Sequence, residues 1–234
     1  MQRVPLPDLR GTTPGAIEVH RVDLALDREP AEALMQLDAA ERVQAGRFAR
    51  CEDRVRFATT RAAVRGLLAR RLGCAPTQVR FAYNRHGKPH VADLPDLPFN
   101  VTHAGAHALI AIGDGTCIEA LGIDIELCQR TGDAMSILDV AFTACEQARI
   151  RAAADPLAAL YRHWSAKEAA LKAVGVGVAE HLHALTVDPE HHQNIVVSSR
   201  LAGWTSLQAM ALAMPGGYVA ALAWRLKEHS CKTS

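Results

Sequence analysis

Two acids separated by a single residue are the first feature with chemical potential. In Leu121-Gly122-Ile123-Asp124-Ile125-Glu126 an acid stands at every second place. An extended chain therefore turns Asp124 and Glu126 to one face and Ile123 and Ile125 to the other. Neighbouring carboxylates repel, and a cation held between them relieves that repulsion. An amphipathic edge strand with solvated acids fits the same pattern. A second segment is Trp164-Ser165-Ala166-Lys167-Glu168-Ala169-Ala170-Leu171-Lys172. On a helix Trp164, Glu168 and Lys172 stack at i, i+4 and i+8. Alone, that is also what a surface Glu–Lys pair worth a few tenths of a kcal/mol looks like. The third segment joins Gly87-Lys88-Pro89 to Phe99-Asn100-Val101-Thr102-His103-Ala104-Gly105. Polar donors beside glycine on tight backbone let an anion approach closely. His103 and His107 are four apart, but the region is strand-like and no acidic or Cys partner has metal spacing, which argues against zinc. Of only five lysines, Lys88, Lys167 and Lys172 all fall in these segments.

The elements that must position these residues are readable in outline. Residues 1–15 are punctuated by Pro and Gly and are expected to form an irregular arm, and 17–24 alternates as a strand. Helical periodicity covers 31–46 and 51–72, the second stopped by Gly73, and covers 137–154 and 157–174, with Gly175 after the last. Strands are expected at 79–83, 98–102, 107–112, 121–126, 184–187, 195–199, 208–213 and 219–225, with a hairpin at Pro215-Gly216-Gly217. The pairs His181/His183 and His191/His192 fall in expected loops. The order of parts repeats. A long helix ends at glycine, a strand follows, then a hairpin of small residues, Gly105–Ile112 resembling Gly216–Ala223. This predicts an α+β fold of two similar modules, residues 1–115 and 116–234, with a ligand cleft between them.

Composition sets the frame. The 234 residues are 49% hydrophobic and 22% charged, ordinary for a globular protein and unlike a disordered, collagenous or coiled-coil chain. No apolar run reaches the ~18 residues of a membrane span. The N-terminal stretch lacks the apolar core of a signal peptide. The six cysteines (Cys51, Cys74, Cys117, Cys128, Cys145, Cys231) contain no Cys-x-x-Cys and read as thiols in a reducing cytoplasm. Charge is uneven: residues 1–90 hold 16 Lys+Arg against 10 Asp+Glu, and 91–234 hold 10 against 15. The basic surplus runs through helical sequence, as a solvated face or as a surface for a phosphorylated ligand or acidic partner.

Taken jointly and in order, these segments resemble the 4′-phosphopantetheinyl transferases of the large, monomeric, surfactin-synthetase-activating type. Arg47-Phe48 and Glu52-Asp53 with Arg56 extend the pattern upstream, so it covers about residues 38–178. The resemblance implies a pseudo-twofold fold with the active site in the cleft. It implies transfer of 4′-phosphopantetheine from coenzyme A to a serine of an apo acyl or peptidyl carrier protein, releasing adenosine 3′,5′-bisphosphate. By the same matching Asp124, Glu126 and Glu168 would hold Mg²⁺, with Mn²⁺ as a substitute. Lys172 would face the same phosphates, and Glu168 or Glu146 would take or relay the serine proton. Arg56, Thr102 and His103 match positions near the 3′-phosphate, and Lys88 lies in the adenine–ribose region. No nucleic acid or membrane partner is expected. Relatives carry two lysines upstream of the Arg-Phe pair, where this chain has Glu41 and Gln44 with Arg42 and Arg47 nearby. The rivals are another metal-dependent coenzyme A or nucleotide phosphohydrolase, and a non-catalytic coenzyme A- or carrier-binding module.

Overall fold

A computed structural model describes residues 1–7, 15–129, 133–177, 181–189, 194–201, 203–204 and 206–228. Cys231, His191 and His192 lie outside them. Two antiparallel sheets and two long helices dominate. The first sheet has strands β1 (Gln2–Val4), β2 (Ile17–Asp23), β5 (Phe99–Ala104) and β6 (His107–Gly113) in the order β1-β2-β6-β5. A separate ribbon pairs β3 (Phe81–Tyr83) with β4 (Pro89–Val91). The second sheet, β7 (Ile118–Leu127) to β11 (Tyr218–Leu226), runs β7-β11-β10-β9-β8, with β8 at Leu185–Asp188, β9 at Asn194–Ser199 and β10 at Gln208–Ala211.

The repeated order of parts is a repeated topology. In each half an early strand (β2 or β7) pairs with the last (β6 or β11), and that strand pairs with the one before it (β5 or β10). Helix α3 (Cys51–Leu72) packs on the first sheet through Val55, Val64, Leu67 and Leu68. Helix α6 (Pro156–Val174) packs on the second through Ala166, Ala169, Ala170 and Ala173. Its small residues let it come close, and Gly122 of β7 marks the closest point. A Cβ there would lie 2.1 Å from the Ala169 carbonyl oxygen and 2.3 Å from Ala173 N. The glycine two places before Asp124 is thus a packing requirement of the strand that carries the acid. Between the sheets, Val19, Leu109 and Ala111 meet Ile123, Ile125 and Leu222 in a shared core, where each large aliphatic contributes ~1.5–3 kcal/mol by burial. No described helix is long and apolar enough to cross a membrane.

Several local expectations change. The N-terminal arm is ordered at its start, because β1 pairs with β2. The helical stretch 31–46 is two helices, α1 (Ala31–Met35) and α2 (Ala39–Gly46). Asp38 breaks it with a capping box: its side chain accepts from Glu41 N at 2.9 Å, and Glu41 Oε2 accepts from Asp38 N at 3.2 Å. The stretch 137–154 divides likewise into α4 (Leu138–Ala141) and α5 (Ala144–Ala152), with Thr143 and Glu146 forming the box. The strand expected from Val79 begins at Phe81, because Val79 closes a 3₁₀ turn over Pro76–Gln78. None of Cys51, Cys74, Cys117, Cys128 and Cys145 is in a disulfide.

Candidate active site

Strand β7 is the edge of its sheet by hydrogen bonding, yet it is not open to solvent. Strand β5 of the first half runs beside it, and the Asn100 side chain accepts from Ile123 N at 2.9 Å. Helix α6 lies across it. Asp124 is therefore only 2% exposed, and the solvated-edge reading of the two acids is set aside. Asp124, Glu126 and Glu168 each offer a carboxylate oxygen, and the three atoms lie within 4.8 Å of one another. Lys172 Nζ reaches Asp124 Oδ1 at 2.6 Å and Glu168 Oε2 at 3.1 Å. Thr102 Oγ1, from β5, donates to Asp124 Oδ1 at 3.2 Å, and Trp164 Nε1 donates to Glu126 Oε1 at 2.9 Å. The other Asp124 oxygen, Oδ2, is buried with no hydrogen-bond partner among the described residues.

Three carboxylates share one ammonium here. Burial raises the Asp124 carboxyl to about 6, with the Glu168 charge adding and Lys172 opposing. Burial also raises Glu126 to about 7, reinforced by Asp124 and Glu168. Burial pulls the Lys172 ammonium down, but its two carboxylate neighbours outweigh this and hold it above its ordinary value. One lysine thus faces three acids. An orphaned carboxylate oxygen in an all-oxygen cluster matches what a hard divalent cation takes.

Beside the cluster, α3 and β5 enclose a cavity of about 340 Å³. Arg56, Thr102, His103 and Lys172 line it, together with Phe57, Thr60, Arg61, Val64 and Val101. Arg56 donates from Nε to the Gly105 carbonyl at 3.1 Å and from Nη1 to Asp53 Oδ1 at 2.8 Å, which fixes its guanidinium at the mouth. Thr60 and Arg61 were not among the residues singled out from sequence. They belong to a helical face whose neighbours Val64 and Leu68 read as ordinary core.

Two expected site residues are engaged elsewhere. Lys88 Nζ donates to the carbonyls of Leu121 (3.0 Å), Lys172 (2.6 Å) and Ala173 (3.2 Å). It closes the C-terminus of α6, where a cation meets unsatisfied carbonyls, and burial lowers its ammonium to about 8. In the structure its ammonium joins the first half to α6 through these three carbonyls. Glu146 is 0% exposed. It accepts from Thr143 N at 2.7 Å, Val187 N at 2.8 Å and Lys167 Nζ at 2.6 Å. Its oxygens are committed, so a role as proton acceptor from a protein substrate is withdrawn. The Thr143-x-x-Glu146 spacing is itself a capping-box signature and was the available signal.

The helical positions upstream of Arg47-Phe48 are also resolved. Glu41 is buried, bonded to Arg65 Nε at 2.6 Å, with Arg61 Nε at 3.4 Å. Arg42 donates to the Leu37 carbonyl, and neither Arg42 nor Arg47 lines the cavity. His107 bonds Asp23 Oδ1 at 2.9 Å and meets the Tyr218 ring edge-on.

The two halves of the chain match two descriptions of known families. Residues 120–223 match the 4′-phosphopantetheinyl transferase superfamily, and residues 26–114 match 4′-phosphopantetheinyl transferase, N-terminal. The chain is 34% identical over 189 residues to 4′-phosphopantetheinyl transferase HetI of Nostoc sp., covering 77% of this chain and 78% of that one. It is 29% identical over 183 residues to 4′-phosphopantetheinyl transferase Sfp of Bacillus subtilis, covering 77% and 78%. With L-aminoadipate-semialdehyde dehydrogenase-phosphopantetheinyl transferase of Mus musculus it shares 28% over 169 residues, 67% of this chain and 54% of that one. The chain belongs to the 4′-phosphopantetheinyl transferase superfamily. Within it, the paired halves place the chain with the Sfp and HetI type, enzymes that move 4′-phosphopantetheine from coenzyme A to carrier proteins.

Proposed function

We propose that Asp124, Glu126 and Glu168 hold Mg²⁺ against the coenzyme A pyrophosphate, and that the adjoining cavity receives the nucleotide end of the same molecule. The observation that carries this reading is the unpartnered, buried Asp124 Oδ2 inside a three-carboxylate cluster that opens beside a cation-lined cavity. When bound, Mg²⁺ neutralises charge that grows on the pyrophosphate oxygens. Lys172 orients Asp124 and Glu168 and adds a fixed positive charge on the same side. Arg56 and His103 take the 3′-phosphate at the mouth of the cavity.

In the transfer a serine hydroxyl of the apo carrier attacks the β-phosphorus. The new P–O bond forms as the bond to the bridging oxygen breaks, and adenosine 3′,5′-bisphosphate leaves with the electron pair. Glu168 takes the serine proton, the one candidate base left once Glu146 is committed to Lys167. The basic first half is the surface that an acidic carrier meets, and the chain acts as a monomer.

The deciding experiment is the intact mass of an apo-carrier incubated with coenzyme A and Mg²⁺. A gain of one phosphopantetheine, about 340 Da as a covalent modification, supports transfer. Bisphosphate release with no change in carrier mass would instead establish a hydrolase. Coenzyme A binding with neither outcome, retained by Asp124→Ala, would establish a non-catalytic module.

A further inference from the structure

We infer that Thr60 is a specificity-determining residue of this site and that its hydroxyl bonds the purine base of the donor nucleotide. The inference rests on the reading of the cavity as the coenzyme A site. Thr60 is 5% exposed, lines that cavity, and its Oγ1 is buried without a hydrogen-bond partner among the described residues. Buried hydroxyls are nearly always paired, so the missing partner arrives with the ligand.

The surroundings of Thr60 select a base over a phosphate. Phe57 and Val64 share its face of α3, and Val101 lies across the cavity. Phe57, Val64 and Val101 offer a phosphate no hydrogen bond in exchange for its hydration. A purine offers apolar faces to them, and ring nitrogens and an amine that a hydroxyl can donate to or accept from. Arg61, the next residue, supplies a flat cation. Its guanidinium carbon sits 4.8 Å from the Phe81 ring centroid while the side chain lines the same cavity. Guanidinium planes stack on aromatic rings, so a base in the cavity has a stacking surface at hand. Arg56, one turn before Thr60, and His103 remain for the phosphate.

The test compares two small probes, adenosine 3′,5′-bisphosphate and uridine 3′,5′-bisphosphate, which share ribose and phosphates and differ in the base. Each is titrated calorimetrically into wild type, Thr60→Val and Thr60→Ser. The wild type should bind the adenosine compound more tightly. Thr60→Val keeps the side-chain shape and should weaken adenosine bisphosphate by about three- to tenfold, the range of one neutral hydrogen bond. Binding of the uridine compound should stay the same, and Thr60→Ser should restore the preference. Equal weakening of both probes, or no change in either, overturns the inference while leaving the transferase reading intact. A wild type that binds neither bisphosphate nor coenzyme A overturns the reading of the cavity, and the role of Thr60 with it.

Discussion

Glu146→Gln distinguishes an acid that holds the fold from one that moves a proton. Lys167 Nζ, fully buried, is held by Glu146 Oε2 at 2.6 Å and by the carbonyls of Leu182 at 2.7 Å and Ala141 at 3.2 Å. The substitution keeps the shape and removes the only charge that balances that ammonium among its described partners. Breaking one side of a buried pair costs ~3–5 kcal/mol. A second route gives a ceiling. Lys167 can shed its proton instead, and burial already draws it below its ordinary 10.5 against the pull of Glu146. Neutralising such an amine at pH 7 costs about 5 kcal/mol. In a chain of this size each kcal/mol moves Tm by ~2–4 °C, so melting should fall by roughly 6–20 °C. The sign with pH follows. By the second route the unfolded variant binds one proton more than the folded one below pH 10.5, so its stability rises with pH and the gap to wild type narrows towards pH 10. Calorimetric melts from pH 7 to 10, with kcat measured well below the transition, read both quantities. Melting unchanged, with kcat reduced by the ~10²–10⁴ that loss of a general base costs, would refute the structural assignment.

Three further outcomes follow from the acidic cluster. Asp124→Asn should abolish metal-stimulated transfer, since no neighbour can supply the lost oxygen on that strand face; full activity at saturating Mg²⁺ would remove Asp124 from the metal site. In metal-free protein Glu126 titrates at about 7 and Asp124 at about 6, and the metal takes the ionised forms. The half-saturating Mg²⁺ concentration should therefore rise as pH falls from 8 to 5.5, approaching about tenfold per unit for each ligand that must lose a proton, and a flat activation curve would contradict those environments. Lys172→Ala should lower kcat by ~10²–10³. Coenzyme A affinity, measured by calorimetry, should change less than in Arg56→Ala. Lost coenzyme A binding with kcat intact would make Lys172 a ground-state clamp.

How legible each part was depends on how far its partners lie along the chain. Asp124 with Glu126, and Glu168 with Lys172, are local patterns: a period of two on a strand and of four on a helix bring each pair together wherever the chain goes. Helix ends were legible for the same reason, as at Gly175, whose φ of 80° suits a residue without a side chain. The breaks at Asp38 and Thr143 also had local signals, Asp-x-x-Glu and Thr-x-x-Glu, inside runs whose apolar spacing alone reads as continuous helix. Lys88 had none. Its carbonyl partners on α6 lie 84 and 85 residues away, and only the closed fold shows that its charge is already used.

The same distinction explains why sequence alone does not separate the two readings of the acidic strand. Alternation gives an edge strand with acids on one face, and by hydrogen bonding β7 is one. Whether such an edge is solvated depends on what lies beside it, which no period within β7 encodes. Here the answer comes from the other half of the molecule: Asn100 of β5 caps the free Ile123 N, and Thr102 of β5 reaches Asp124. Lys172 arrives from α6, which can lie close to β7 because residue 122 is glycine. Asp124 thus meets groups from both repeated halves. Duplication therefore has a chemical consequence: the seam between the halves buries an edge strand without pairing it, and the carboxylate left there lacks enough protein donors to satisfy it. On the proposed reading a divalent cation bound to phosphate would complete that environment, which would tie the metal chemistry to the two-halved fold.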